Sequence, residues 1–101
     1  MIATLLTSIQ IFAQMSARLI KEQELIIGPL AWEEAKKVSG LHVVDEKAGE
    51  VSVDGNGAEV LNSLVSQYTR LFGKASSEVC KEAVQDLVTQ LPADQIPATL
   101  K

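Results

Sequence analysis

The first 27 residues constrain the fold most, because they have the pattern of one long amphipathic helix. Apolar residues recur there at the spacing of a helix face. A stripe three columns wide on a seven-residue grid must be buried against another surface. Ser16 and Gln23 interrupt one column, as polar residues do when they fix the register of a coiled-coil seam. The three columns are Ile2, Ile9, Ser16 and Gln23; Leu5, Phe12, Leu19 and Ile26; and Leu6, Ala13, Ile20 and Ile27.

The length of this helix raises a packing problem. A continuous helix over residues 1–27 would measure about 40 Å, whereas a compact sphere of this chain length is only about 33 Å across. The helix is therefore kinked, frayed at its start or packed against a second molecule, and the wide stripe favours the second molecule. We expect a two-fold homodimer, because such an interface matches itself. For Trp32, a core position is the preferred alternative. The residues expected in the interface are Ile2, Leu5, Leu6, Ile9, Phe12, Leu19, Ile20 and Trp32.

The same stretch is a poor membrane or targeting segment. A signal peptide needs a positively charged start, but the first charged residue is Arg18. A transmembrane span needs about 20 mostly apolar residues, and six Thr, Ser and Gln residues interrupt positions 4–16. A membrane-surface helix would carry Lys and Arg along its polar face. We therefore expect neither a leader nor a membrane partner.

Composition predicts one globular domain that needs no disulfide. Apolar residues make up 47% of the 101 residues, which is enough for a core. The mean hydropathy of +0.15 is high for a short chain and favours a shared interface. The single cysteine, Cys80, excludes an intrachain disulfide and is compatible with the cytoplasm, where we expect the chain to be.

Charge argues against nucleic-acid binding. The net charge is −4: zero over residues 1–27, −3 over 28–55 and −1 over 56–101. No segment is basic, so the chain lacks the electrostatic footprint of a phosphate-binding surface.

Breaker and capping residues divide the rest of the chain. Gly28-Pro29 separates two helices, Asn56 with Glu59 resembles a capping box, and Pro92 ends the last helix. We predict an α+β fold that is mainly α, with the last two helices forming an antiparallel core pair and the hairpin lying across them. The predicted elements are a long helix over 1–27, a short helix over 29–39, a β-hairpin over 41–54, helices over 57–72 and 76–91, and a tail over 92–101 that either docks or stays loose.

The hairpin register follows from its apolar residues. A three-residue loop at 47–49 pairs Val43 with Val53 and Asp45 with Val51. A two- or four-residue loop would leave a poorer apolar face, since a one-residue slip turns every side chain over. The residues expected on the buried face are Leu41, Val43, Val51 and Val53.

Few residues suggest chemistry. Asp54-Gly55-Asn56-Gly57 resembles the centre of an EF-hand loop, but neither possible frame supplies the terminal Glu that calcium requires. His42 falls on the solvent face of the hairpin, without the partners that a base or a metal site needs. The stripe around Cys80 predicts a buried thiol that behaves as a small hydrophobe. The acidic hairpin residues are expected to be solvated and to discourage edge-to-edge aggregation.

The sequence therefore favours a non-enzymatic protein-interaction or regulatory module that works as a homodimer. We expect no cofactor and no metal, because no P-loop, G-x-G-x-x-G, G-x-S-x-G or H-E-x-x-H motif is present. An enzyme would need a site completed across the subunit interface. The alternative is a small-molecule sensor with an apolar pocket between helices. That pocket would be lined near Phe12, Trp32, Tyr68 and Phe72, with the Tyr68 hydroxyl at its edge.

Overall fold

A computed structural model describes residues 8–101, which form four helices and one antiparallel β-hairpin. The predicted α+β, mainly helical fold is confirmed. The last long helix begins at Lys74, directly after Gly73, which takes φ +92°. It therefore starts two residues before position 76, where the sequence predicts its start. The elements are α1 (Ser8–Ile27), α2 (Leu30–Ala35), β1 (Leu41–Asp45), β2 (Glu50–Val53), α3 (Gly57–Phe72) and α4 (Lys74–Val88), followed by short 3-10 helices at Ala93–Gln95 and Ala98–Leu100.

Helix α1 lies at the centre of the fold, where it contacts α2, α3, α4 and β2. The predicted pair of α3 and α4 is present, but α1 is a central part of the core rather than an addition packed on that pair. The apolar stripe is wide because several elements of the same chain cover it. The size argument also fails, since the domain is elongated, with dimensions of 42 × 28 × 21 Å, and accommodates the roughly 30 Å that 20 helical residues span.

Polar contacts fix α1 against α4 in an antiparallel arrangement. The Arg18 guanidinium donates to Asp86 Oδ1 at 2.5 Å. Further along, Gln23 Nε2 donates to the Ser76 carbonyl at 3.2 Å and lies 3.5 Å from Cys80 Sγ. Gln23 is fully buried, so its amide supplies a polar connection between these two helices within the core. Both polar residues that interrupt the stripe are buried inside this chain. Gln23 sets the register of α1 on α4 through these contacts, whereas the Ser16 hydroxyl has no hydrogen-bond partner in the described structure.

The hairpin keeps its predicted buried face but not its predicted pairing. Leu41 pairs with Val53 and Val43 with Val51, whereas Asp45 pairs with Glu50. The loop has four residues rather than three, and a β-bulge at Val44 absorbs the extra residue. A four-residue loop alone would turn the faces over, and the bulge turns them back. Leu41, Val51 and Val53 are therefore buried and Val43 is partly buried.

The start of α3 is fixed by a cap and by a close approach to α1. The Asn56 side chain accepts a hydrogen bond from the Glu59 amide at 3.1 Å, as the predicted cap requires. The next residue, Gly57, is buried against the Phe12 ring, and a Cβ at position 57 would collide with that ring. Gly57 therefore allows α1 and α3 to approach closely.

The C-terminal tail docks on α3. Asn62 Oδ1 accepts hydrogen bonds from the Thr99 amide at 3.0 Å and from the Thr99 hydroxyl at 2.7 Å. Leu100 is buried in the same core as the helices. Of the two states considered for the tail, the structure has the docked one.

Candidate interaction surface

The structure places four of the eight predicted interface residues inside the chain's own core. Ile2, Leu5 and Leu6 lie outside the described residues. Ile9 is 58% exposed near the start of α1. The remaining four predicted interface residues are covered by the chain itself, so they offer no surface to a second copy unless the core opens. They are Phe12, Leu19, Ile20 and Trp32.

The predicted pocket residues do not all lie together. Phe12 packs on Gly57 at the first turn of α3, whereas Tyr68 lies eleven residues further along the same helix, about 16 Å away at 1.5 Å per residue. The Tyr68 hydroxyl does not lie at an edge: it is buried and donates to the Ala31 carbonyl at 2.7 Å. Burial also raises the Tyr68 pKa above its ordinary value. With Trp32 fully buried and Phe72 packed against the core, this set gives the sensor hypothesis no support.

The residues considered for chemistry occupy separate places. His42 Nε2 lies 2.6 Å from Asp54 Oδ2 on the solvent face of the hairpin. Cys80 is buried, as predicted, and burial raises the pKa of its thiol to about 11. Within residues 8–101, no three His, Cys, Asp or Glu side chains converge at a metal-binding distance.

One carboxylate has a structural role that the sequence did not reveal. Glu34 lies in the short helix α2, and its side chain is almost completely buried. Its oxygens accept from Gln67 Nε2 at 2.6 Å and from Lys37 Nζ at 3.1 Å. These hydrogen bonds hold the Glu34 pKa below its ordinary value and connect α2 with α3. No periodicity signals such a contact, because Gln67 is 33 positions away.

Besides Ile9 near its start, the large exposed apolar side chains of α1 lie at its C-terminal end. Leu25 is 80% exposed and Ile26 is 58% exposed, and Leu30 at the start of α2 is 44% exposed. Leu25 falls outside the three apolar columns of the sequence. Its position outside these columns is the sequence signal that indicates a surface residue.

Leu25 and Ile26 form one side of a groove between α1 and α4, with a volume of about 590 Å³. We call it the α1–α4 groove. Val79 and Ala83 line it from α4, and the small side chain of Ala83 leaves room between the helices. The complete lining is Glu22, Leu25, Ile26, Val79, Glu82 and Ala83.

The rim of the α1–α4 groove is acidic. Glu22 stands on the α1 side and Glu82 on the α4 side, and no Lys or Arg is among the lining residues. On α1, Arg18 is paired with Asp86 and donates to the Ala83 carbonyl at 3.4 Å, whereas Lys21, next to Glu22 in the sequence, lies beside Gly49 of the hairpin loop. The groove therefore combines an apolar interior with two uncompensated carboxylates.

Comparisons place this surface in no known context. Comparison with protein-family models, with curated proteins and with solved structures gave no match to this chain. No helix in the described part of the chain combines the length and apolar character that crossing a membrane requires.

Proposed function

We propose that this chain is a non-enzymatic protein-interaction module that binds its partner through the α1–α4 groove. The observation that carries the proposal is the 80% exposure of Leu25 beside Ile26 at an open groove. Single exposed apolar residues are common on proteins. Adjacent ones at a concave site, rimmed by charge, are the usual features of a binding surface. Covering a Leu or Ile fully contributes about 1.5–3 kcal/mol each.

The homodimer expected from the sequence stays a prediction. Of its expected interface residues that the structure describes, Ile9 alone is exposed, and pairing through the α1–α4 groove would use Leu25 and Ile26 instead. Two-fold pairing there would bring Glu22 and Glu82 towards the same carboxylates of the second copy, and like charges across an interface are unfavourable. Charge therefore favours a different protein as the partner.

Site-specific photo-cross-linking in the native cell tests the proposal. A photoreactive phenylalanine analogue is placed at Leu25 and, as a matched control, at Gln14, an exposed position on the same helix. We expect a discrete adduct from position 25 and none from position 14. The adduct mass identifies the partner class, since a homodimer would have twice the 10.9 kDa of the chain. No adduct at position 25, or equal adducts at both positions, would refute the proposal.

A further inference from the structure

We infer that the partner segment is a short amphipathic helix with Lys or Arg beside its apolar residues; this inference rests on the proposed function. The α1–α4 groove runs between two antiparallel helices, with apolar side chains on both walls and one carboxylate on each rim. Both its shape and its charge define the occupant.

The shape fits a helix. A helix that lies in a groove between two others contacts it through residues at i, i+3, i+4 and i+7. Leu25 and Ile26 on one wall face Val79 and Ala83 on the other, so an apolar helix stripe would meet apolar side chains on both sides. An extended strand would instead need a free sheet edge for its backbone, and the groove is built from helices.

The charge selects a basic helix. Glu22 and Glu82 lie on opposite rims, so cations on either flank of the bound helix would each find a carboxylate. The Arg18–Asp86 ion pair adjoining the groove is already satisfied and supplies no net charge. A second copy of this chain, with its net charge of −4, and an anionic lipid surface would both be repelled.

Binding of designed peptides to the full chain tests the inference by fluorescence anisotropy. One peptide of about 18 residues carries Leu at i, i+3, i+4 and i+7 with flanking Lys, and a matched peptide carries Glu in place of Lys. We expect the Lys peptide to bind at least tenfold more tightly. The double variant Glu22→Gln/Glu82→Gln should weaken it about fivefold, as expected for two partly exposed ion pairs. Leu25→Ser should weaken it about tenfold.

A control variant separates groove binding from general attraction to an acidic protein. Glu50→Gln/Asp94→Asn removes the same amount of charge at exposed positions elsewhere and should leave the affinity unchanged. Equal affinities for the two peptides, or equal losses in the two double variants, would overturn the inference.

Two further outcomes distinguish this inference from the proposed function. If the Lys peptide fails to bind while the adduct from position 25 persists, the basic helix is wrong and the interaction module stands. If the adduct is a homodimer, or if the chain binds phosphatidylserine–phosphatidylcholine vesicles through Leu25, the basic helix is likewise wrong. Binding of the Lys peptide that depends on both Leu25 and the two rim carboxylates supports the inference.

Discussion

Replacing Gly57 with Ala tests the close approach of α1 to α3. Gly57 is the first residue of α3, is buried, and would place a Cβ inside the Phe12 ring if it carried one. Gly57 does not take a positive φ, so the backbone itself tolerates a side chain there. The expected loss of stability thus arises from the collision alone.

The magnitude follows from opposing contributions. Ala in place of Gly favours a helix by up to about 1 kcal/mol. Forcing an extra methyl group into a packed core costs about 1–3 kcal/mol, and complete expulsion of the Phe12 ring would approach the 3–5 kcal/mol of a Phe-to-Ala change. We expect Gly57→Ala to lower the free energy of unfolding by about 2 kcal/mol. For a domain of this size, that corresponds to a Tm lower by roughly 8–16 °C.

A double-mutant cycle, measured by urea unfolding and thermal melting, supplies the decisive comparison. Phe12→Leu makes room at position 57, so Gly57→Ala should cost at least about 1 kcal/mol less in that background. Gly73→Ala is the matched control: Gly73 has φ +92° and open space around it, so its cost is backbone strain and should not depend on Phe12. An identical cost of Gly57→Ala in both backgrounds would refute the reasoning.

Three further predictions concern buried polar groups. Gln23→Met removes an amide oxygen that has no hydrogen-bond partner in the described structure; it should leave the unfolding free energy within about 1 kcal/mol or raise it, and a loss comparable to the roughly 2–5 kcal/mol of Leu19→Ala would contradict this. Because the folded pKa of Glu34 lies below its ordinary value of 4.5, its ionised form contributes stability above that pH, and this is lost as the pH falls through the lowered pKa. The urea midpoint of Glu34→Gln should therefore decrease less between pH 7 and pH 3 than that of the unchanged chain, and an equal decrease would exclude the contribution. Cys80, with a buried thiol of pKa about 11, should react with iodoacetamide far more slowly in the native protein than in guanidinium; equal rates would show that it is accessible.

The hairpin illustrates what periodicity can and cannot predict. The alternation of Leu41, Val43, Val51 and Val53 correctly identified the buried face, because that face depends only on odd or even position. The predicted pairing is wrong, because the loop has one residue more than expected and the bulge at Val44 absorbs it. Together these two changes keep the same face buried. A bulge has no strong sequence signature when, as here, the residue concerned is an ordinary valine.

The first helix illustrates a second limit. Its pattern correctly predicted a long helix with a buried stripe, and the described part, Ser8–Ile27, is continuous. The pattern does not say what covers the stripe. A spherical domain of this size would be too small for the predicted helix, which is why the sequence favours a second molecule. The domain is elongated instead, and its own elements cover the described part of the stripe.

The candidate groove could be predicted only in part. The sequence indicated protein interaction through α1, but it selected the residues with the best apolar periodicity, and the chain's own packing uses those first. Leu25 lies off the stripe, and Val79 and Glu82 become its neighbours only because α4 runs antiparallel to α1. That adjacency depends on tertiary packing across more than 50 residues.

The central position of α1 also affects how the chain is made. Translation completes α1 before α4, which supplies a large part of its cover, and about sixty residues separate their ends. At 5–20 residues per second, the apolar stripe waits roughly 3–12 s for that cover. Nascent chains of this protein should therefore be exposed to aggregation on the ribosome, and fragments that end before Lys74 should remain unfolded. The arrangement that covers the apolar stripe of α1 in the mature protein makes the same helix the most vulnerable part of the protein during its synthesis.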